Sequence, residues 1–184
     1  MAVQNNSLGY IIIGGAESMP RGMALVADVR GIPLECIYTE PVKLNRLQRI
    51  LYGKARDTYL KEELILKSLL EAVETKPQLW LCNDAAILNP LKFNAKVKAV
   101  MLENSSHDPL EAIGHVESTQ DPNVFWLQTD KAGAPLKLTF PTDTRADEMK
   151  MSVANLIEAA KTMELLEPFD RLQKAIVSLV NGVE

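Results

Sequence analysis

Residues Leu79–Asn83 read Leu-Trp-Leu-Cys-Asn, an apolar run with no polar alternation. A backbone apolar on both sides has to be covered on both sides, which is the situation of a short central strand in a parallel sheet. The run follows a stretch from about Asp57 to Glu74 whose Leu60, Leu64, Leu69 and Val73 recur at helical spacing. Pro77 forbids that helix from continuing. Lys96–Glu103 is a further strand candidate, reached through a predicted loop from Asp84 to Phe93 that contains Asn89-Pro90. Strand, helix and strand in this order place the chain among mixed α/β folds.

The flanking segments add hairpins. Tyr10–Gly14 is a short apolar strand that ends in Gly-Gly, followed by strands at Met23–Val29 and Ile32–Thr39. Apolar groups on both faces of Ile32–Thr39 predict an interior strand. A second hairpin is predicted from Phe125–Asp130 and Leu136–Phe140, with a weak strand near Ala112–Glu117. Both hairpins carry D-x-x-G-x-P-L, at Asp28–Leu34 and at Asp130–Leu136. Asp to cap the turn, Gly for positive φ and Pro to stiffen the exit account for that pattern, and an internal duplication would account for it as well. Helices are predicted from Thr144 to about Leu166 and from Pro168 onward, the first opened by a capping-box variant with Asp147. The expectation is an α/β or α+β fold. It has a mixed sheet of about five to seven strands, two β-hairpins, and helices mainly on one face. It forms one domain over residues 1–184, with related halves 1–103 and 104–184 if the echo is a duplication.

Charge narrows the function classes. The formal net charge is −4 and the pI about 5.3, which argues against general nucleic-acid binding and against an anionic membrane surface. Met1–Tyr10 shows no secretory pattern, and no apolar run reaches the roughly 18 residues of a membrane helix. Cys36 and Cys82 lie in apolar runs and read as buried thiols of a reducing compartment, so a cytoplasmic location is expected.

Complete catalytic motifs are missing. Neither G-x-G-x-x-G nor a Walker loop occurs, nor a G-x-S-x-G elbow. His107, Glu111 and His115 have four-residue spacing, but Pro109 and Gly114 break the helix that would align them, so no metal or cofactor is expected. Three antiparallel strands, helices and then an apolar parallel strand is the order found in RNase H-like folds. That resemblance implies two or three carboxylates gathered around magnesium at neighbouring strand ends. The candidates are Glu17, Glu40 and Asp84, although the first strand has no acid where that fold places a catalytic Asp.

One local anomaly remains. Lys43, Arg46, Arg49, Lys54 and Arg56 fall between Val42 and Arg56 with no acid among them, leaving 15 basic against 24 acidic residues elsewhere. Thr39 and Pro41 predict a helix start here, with Leu44, Leu47, Ile50 and Leu51 on its inner face. Cations in a first helical turn oppose the helix dipole, so folding does not call for Lys43 and Arg46 there. Either Arg46 and Arg49 pair with acids such as Glu158, Glu164 or Asp170, or they face an external anion. The leading expectation is a non-catalytic module that binds a protein partner or anionic ligand through these five residues. The alternatives are a divergent RNase H-like metal-dependent nuclease and a structural subunit of a larger assembly. The last two helices are amphipathic enough to form a homo-oligomer face.

Overall fold

A computed structural model describes residues 6–182, so the first five residues of the Met1–Tyr10 segment and the last two of the chain lie outside it. Eight strands form one mixed sheet in the order β3-β2-β1-β4-β5-β8-β7-β6. The strands β1 (Ser7–Ala16), β2 (Met19–Asp28) and β3 (Pro33–Tyr38) make an antiparallel meander. β4 (Leu79–Cys82) runs parallel to β1, and β5 (Ala99–Glu103) parallel to β4. β6 (Val116–Ser118), β7 (Val124–Leu127) and β8 (Leu136–Thr139) complete the sheet antiparallel, with β8 against β5.

The helices are α1 (Arg46–Tyr52), α2 (Arg56–Thr58), a π-helical segment Tyr59–Leu66, α3 (Lys67–Ala72), α4 (Ala85–Phe93), α5 (Ala146–Ala160) and α6 (Glu167–Val180). They cover both faces rather than mainly one. Tyr10, Ile12, Leu81, Val100 and Leu102 pack with Leu156, Phe169, Leu172 and Ile176 of α5 and α6. Ile11, Trp80, Cys82, Ala99 and Met101 face the other way, onto Ile65, Leu66, Leu69, Ile87 and Leu91. The cause is the lack of alternation noted above. A central strand apolar on both faces needs a helical layer on each. No helix among the described residues is long and apolar enough to cross a membrane.

Local chemistry departs from the sequence pattern in several places. Gly14-Gly15 does not end β1; pairing continues to Ala16 opposite Met19, with Gly15 at φ 90 and Glu17-Ser18 at the tip. β3 is an edge strand, not an interior one, and Leu34 and Tyr38 stand half exposed. Only its Glu35 face is engaged, the carboxylate accepting from the backbone N–H of Glu74 and Thr75 at 3.0 and 2.7 Å. Cys36 is accordingly exposed, while Cys82 is buried. The predicted loop after β4 is α4. Asp84 caps it by accepting from the Ala86 N–H at 2.8 Å, and Pro90 sits inside it. In the long helix the π segment adds a residue per turn, so Ile65 and Leu66 are buried while Leu64 is only half buried. The two hairpins differ in kind. Gly31 has φ 77, whereas Gly133 lies outside the positive-φ region, and the first hairpin joins the sheet through its first strand, the second through both. Shared turn residues therefore do not extend to shared strand pairing.

Candidate functional site at the carboxyl-terminal edge

Because β3, β1, β4 and β5 all run in the same direction, their carboxyl ends meet at one edge of the sheet. Parallel α/β sheets bind ligands outside that edge, where the loops open. Asp84 follows the end of β4 and Glu103 is the last residue of β5. The register pairs Ile11 with Cys82 and Cys82 with Met101. Extending that register two residues past the last pairs puts Ile13, Asp84 and Glu103 in one row on the face shared with Ile11, Cys82 and Met101, with neighbouring strands about 4.8 Å apart.

The electrostatics agree with that placement. The Cys82 thiol is pushed up to about 12, first by burial and then by the negative charges of Asp84 and Glu103. Each carboxylate has a lysine. Lys61 Nζ lies 3.6 Å from Asp84 Oδ2, and Lys137 Nζ 3.3 Å from Glu103 Oε2. Glu103 was not among the sequence candidates. Its signal was its position, an acid closing the second parallel strand as Asp84 follows the first.

Glu17 and Glu40 are not brought to this pair. Glu17 lies four residues past Ile13, about 13 Å along the strand. Glu40 follows β3, whose Tyr38 pairs with Met23, and three strand spacings, about 14 Å, separate it from β4. Two-metal sites hold their ions about 3.5–4 Å apart, so Glu17, Glu40 and Asp84 cannot share one. Among the described residues no group of three or more His, Cys, Asp and Glu could hold a metal ion. On β1 the place beside Asp84 belongs to Ile13. The donors present thus do not fit the magnesium site that an RNase H-like order implies, and no chemical step is derived through one.

The basic segment leaves from the same edge. Thr39 continues the pairing of β3, its N–H donating to Gly22 O and its Oγ1 accepting from Gly22 N, and the Val42 N–H reaches Pro20 O. Leu44 is buried and anchors the segment. The helix starts later than Thr39 suggests, at Arg46. Asn45 Oδ1 accepts from Gln48 N at 2.8 Å and the Gln48 side chain accepts from Asn45 N at 3.0 Å. Lys43 therefore precedes the helix rather than occupying its first turn. The expected inner face is absent as well. No residue of α1 is buried, and Leu47, Ile50 and Leu51 are 63%, 67% and 74% exposed. The Tyr52 and Tyr59 rings stack at 4.1 Å across the following 3-10 turn. Lys43, Arg46, Arg49 and Lys54 are exposed and make no ion pair with any described residue, so Glu158, Glu164 and Asp170 are not their partners. Arg56 alone of the five is paired, with Asp57 at 3.1 Å.

No protein-family model and no curated protein matches the sequence. Solved structures match the fold. Endonuclease V from Streptomyces avermitilis aligns over 96% of this chain and 82% of its own, at TM-score 0.64 and 13% identity. Endonuclease V from Ciona intestinalis, solved with a 23mer DNA containing inosine followed by a ribo-adenosine, aligns over 100% of this chain and 88% of its own, at TM-score 0.56 and 11% identity. The Bacillus subtilis endonuclease V aligns over 83% and 70%, at TM-score 0.53 and 12% identity. This chain is therefore a mixed α/β protein with the endonuclease V fold. The argument from net charge against nucleic acid does not stand, since the Ciona protein carries DNA on this fold. Net charge averages over the surface, whereas phosphate responds to the local field of one edge.

Proposed function

We propose that this chain binds nucleic acid along the carboxyl-terminal edge of its sheet. The observation that carries the reading is the set of four unpaired cations, Lys43, Arg46, Arg49 and Lys54, on the segment that leaves the edge holding Asp84 and Glu103. Unpaired exposed cations are free to release counterions from phosphate, which is the main source of nucleic-acid affinity. The likeness to a protein solved on DNA supports this reading over a module for a protein partner.

A second reading, hydrolysis by a divergent RNase H-like nuclease, is favoured by Asp84 and Glu103 on adjacent parallel strands. It would rest on those two residues and not on Glu17 or Glu40. Fluorescence anisotropy with labelled single-stranded and duplex DNA and RNA tests both, read at several salt concentrations and followed by incubation with Mg²⁺ or Mn²⁺. For single strands the slope of log K against log salt is about −0.7 per neutralised phosphate. Replacing Lys43, Arg46 and Arg49 with Ala is expected to flatten that slope by roughly 2. An unchanged slope and affinity would refute the binding surface. Cleavage abolished by Asp84→Asn or Glu103→Gln would establish the second reading, and absence of cleavage with every substrate would remove it.

A further inference from the structure

The row containing Ile13, Asp84 and Glu103 does not stop at β5. Glu103 pairs with Lys137 on β8, Lys137 with Trp126 on β7, and Trp126 with Glu117 on β6. Directly paired residues of an antiparallel ladder point to the same side of the sheet. Ile13, Asp84, Glu103, Lys137 and Trp126 thus form one transverse line on one face. The π-helical segment, α3 and α4 bury that face over β1 and β4, and no residue of β6, β7 or β8 belongs to its core. The line passes from a part-exposed carboxylate pair at the rim of the helical layer to an open surface.

The open end is aromatic. His107, on the segment after β5, stacks on Trp126 with ring centroids 5.0 Å apart and planes 30° from parallel. The pair lines an open cleft of about 480 Å³ with Asn104, Ser105, Ser106 and Lys137. His107 is exposed and Trp126 half buried. The segment that carries His107 is held by a buried knot. Gln128 Oε1 accepts from the Leu110 N–H at 2.8 Å, and Gln128 Nε2 donates to Asp130 O and Gly133 O at 2.5 and 2.8 Å. The Gln128 backbone N–H donates to His115 O, and its carbonyl accepts from Gly114 N. Ser105 Oγ accepts from the His107 N–H and donates to Pro135 O. The stacked rings adjoin Lys137, with Glu117 paired to Trp126 across the β6–β7 ladder and Glu103 one strand beyond Lys137.

We propose that Trp126 and His107 form a stacking site for an unpaired base of single-stranded nucleic acid, on the outer face of His107 and two strands along the row from Glu103. The inference rests on the reading of this edge as a nucleic-acid surface and specifies the form bound. A base inside a duplex presents no free face, whereas an unstacked base does. Each such contact typically changes affinity by roughly 5- to 150-fold when the ring is removed. Lys137 lines the cleft but its Nζ is shared with Glu103 Oε2 at 3.3 Å, so a backbone phosphate of the stacked nucleotide competes with that carboxylate for it.

The chain has two tryptophans, and Trp80 is 4% exposed, so a change in tryptophan emission on titration reports Trp126. Oligo-dT and oligo-rU, duplex DNA and the mononucleotides are titrated into the intact chain, His107→Ala and the Lys43/Arg46/Arg49 triple Ala variant. His107 is exposed, so its removal leaves the core untouched. Quenching by single strands, with a loss of roughly 5-fold or more in His107→Ala, is the expected result. If single strands bind, the triple variant weakens them, and neither emission nor His107→Ala responds, the stacking site is overturned while the nucleic-acid reading survives. If mononucleotides quench as tightly as oligomers, the site belongs to a free nucleotide and the proposal is overturned. If no polymer binds the intact chain, both fall together.

Discussion

The substitution Ile13→Asp asks whether β1 is what separates this chain from a metal site. The register sets Ile13 beside Asp84, which is beside Glu103, so the new carboxylate would complete a row of three at neighbouring strand ends. Without metal the row is unfavourable. Two unit charges about 5 Å apart at an effective dielectric constant of about 20 repel by roughly 3 kcal/mol. Lys61 and Lys137, which already attend Asp84 and Glu103, and the half exposure of Ile13 reduce this to the order of 1–3 kcal/mol. For a chain of this length each kcal/mol corresponds to about 2–4 °C in Tm, so the variant in EDTA is expected to melt lower by roughly 3–10 °C. A divalent ion that binds only the folded state returns about 2.7 kcal/mol at 100 times its Kd. Thermal melts with EDTA, Mg²⁺ and Mn²⁺ therefore form the assay. Recovery of the variant by Mn²⁺, with an unresponsive parent chain, is the expected outcome. A variant indifferent to Mn²⁺, or a parent strongly stabilised by it, would refute the assignment of Ile13 as the missing position.

Other expectations follow from the same geometry. At Gly22 an added Cβ would lie 2.3 Å from Ile65 Cγ2 and 2.7 Å from Leu69 Cδ1, so Gly22→Ala should cost about 1–3 kcal/mol by overpacking, read by chemical denaturation. Removing the Gln128 side chain takes a partner from the part-buried Leu110 N–H and the Asp130 and Gly133 carbonyls, and Gln128→Ala should cost about 1–3 kcal/mol and expose Trp126 to quenching by iodide. The Glu35 carboxyl is held below its ordinary 4.5 by the Glu74 and Thr75 N–H groups. Because its pKa is depressed in the folded state, its contribution is complete above about pH 4.5 and drains as pH falls through the lower folded value. Glu35→Gln should lower stability at neutral pH and leave pH 3 little affected, which flattens the acid limb of the stability curve, as urea melts across pH 3–7 would show.

What could be read from the chain without its fold was whatever depends on neighbours in sequence. The apolar run Leu79–Asn83 predicted a strand covered on both faces, and β4 is one, buried at every position. Turn and cap chemistry was legible in the same way at Asp28, where the carboxylate accepts from Arg30 N and Ile32 N. Asp84 was found as a strand-end acid because β4 itself was. The nucleic-acid exclusion failed because net charge has no direction, whereas the unpaired cations Lys43, Arg46, Arg49 and Lys54 fall on a single exposed segment.

Only the tertiary structure decided the rest. Strand order places Ile13, Asp84, Glu103, Lys137 and Trp126 in one line, although they come from five strands spread over more than a hundred residues. No local signal relates them, since register across a sheet is set by which long-range pairs bury the most apolar surface. The same holds for α1. Its Leu47, Ile50 and Leu51 have the spacing of a buried face, and the pattern cannot reveal that no second surface comes to meet them. Sequence determined what each segment could be, because backbone preference and periodicity are local. Which residues would share a site was decided by the closing of the sheet.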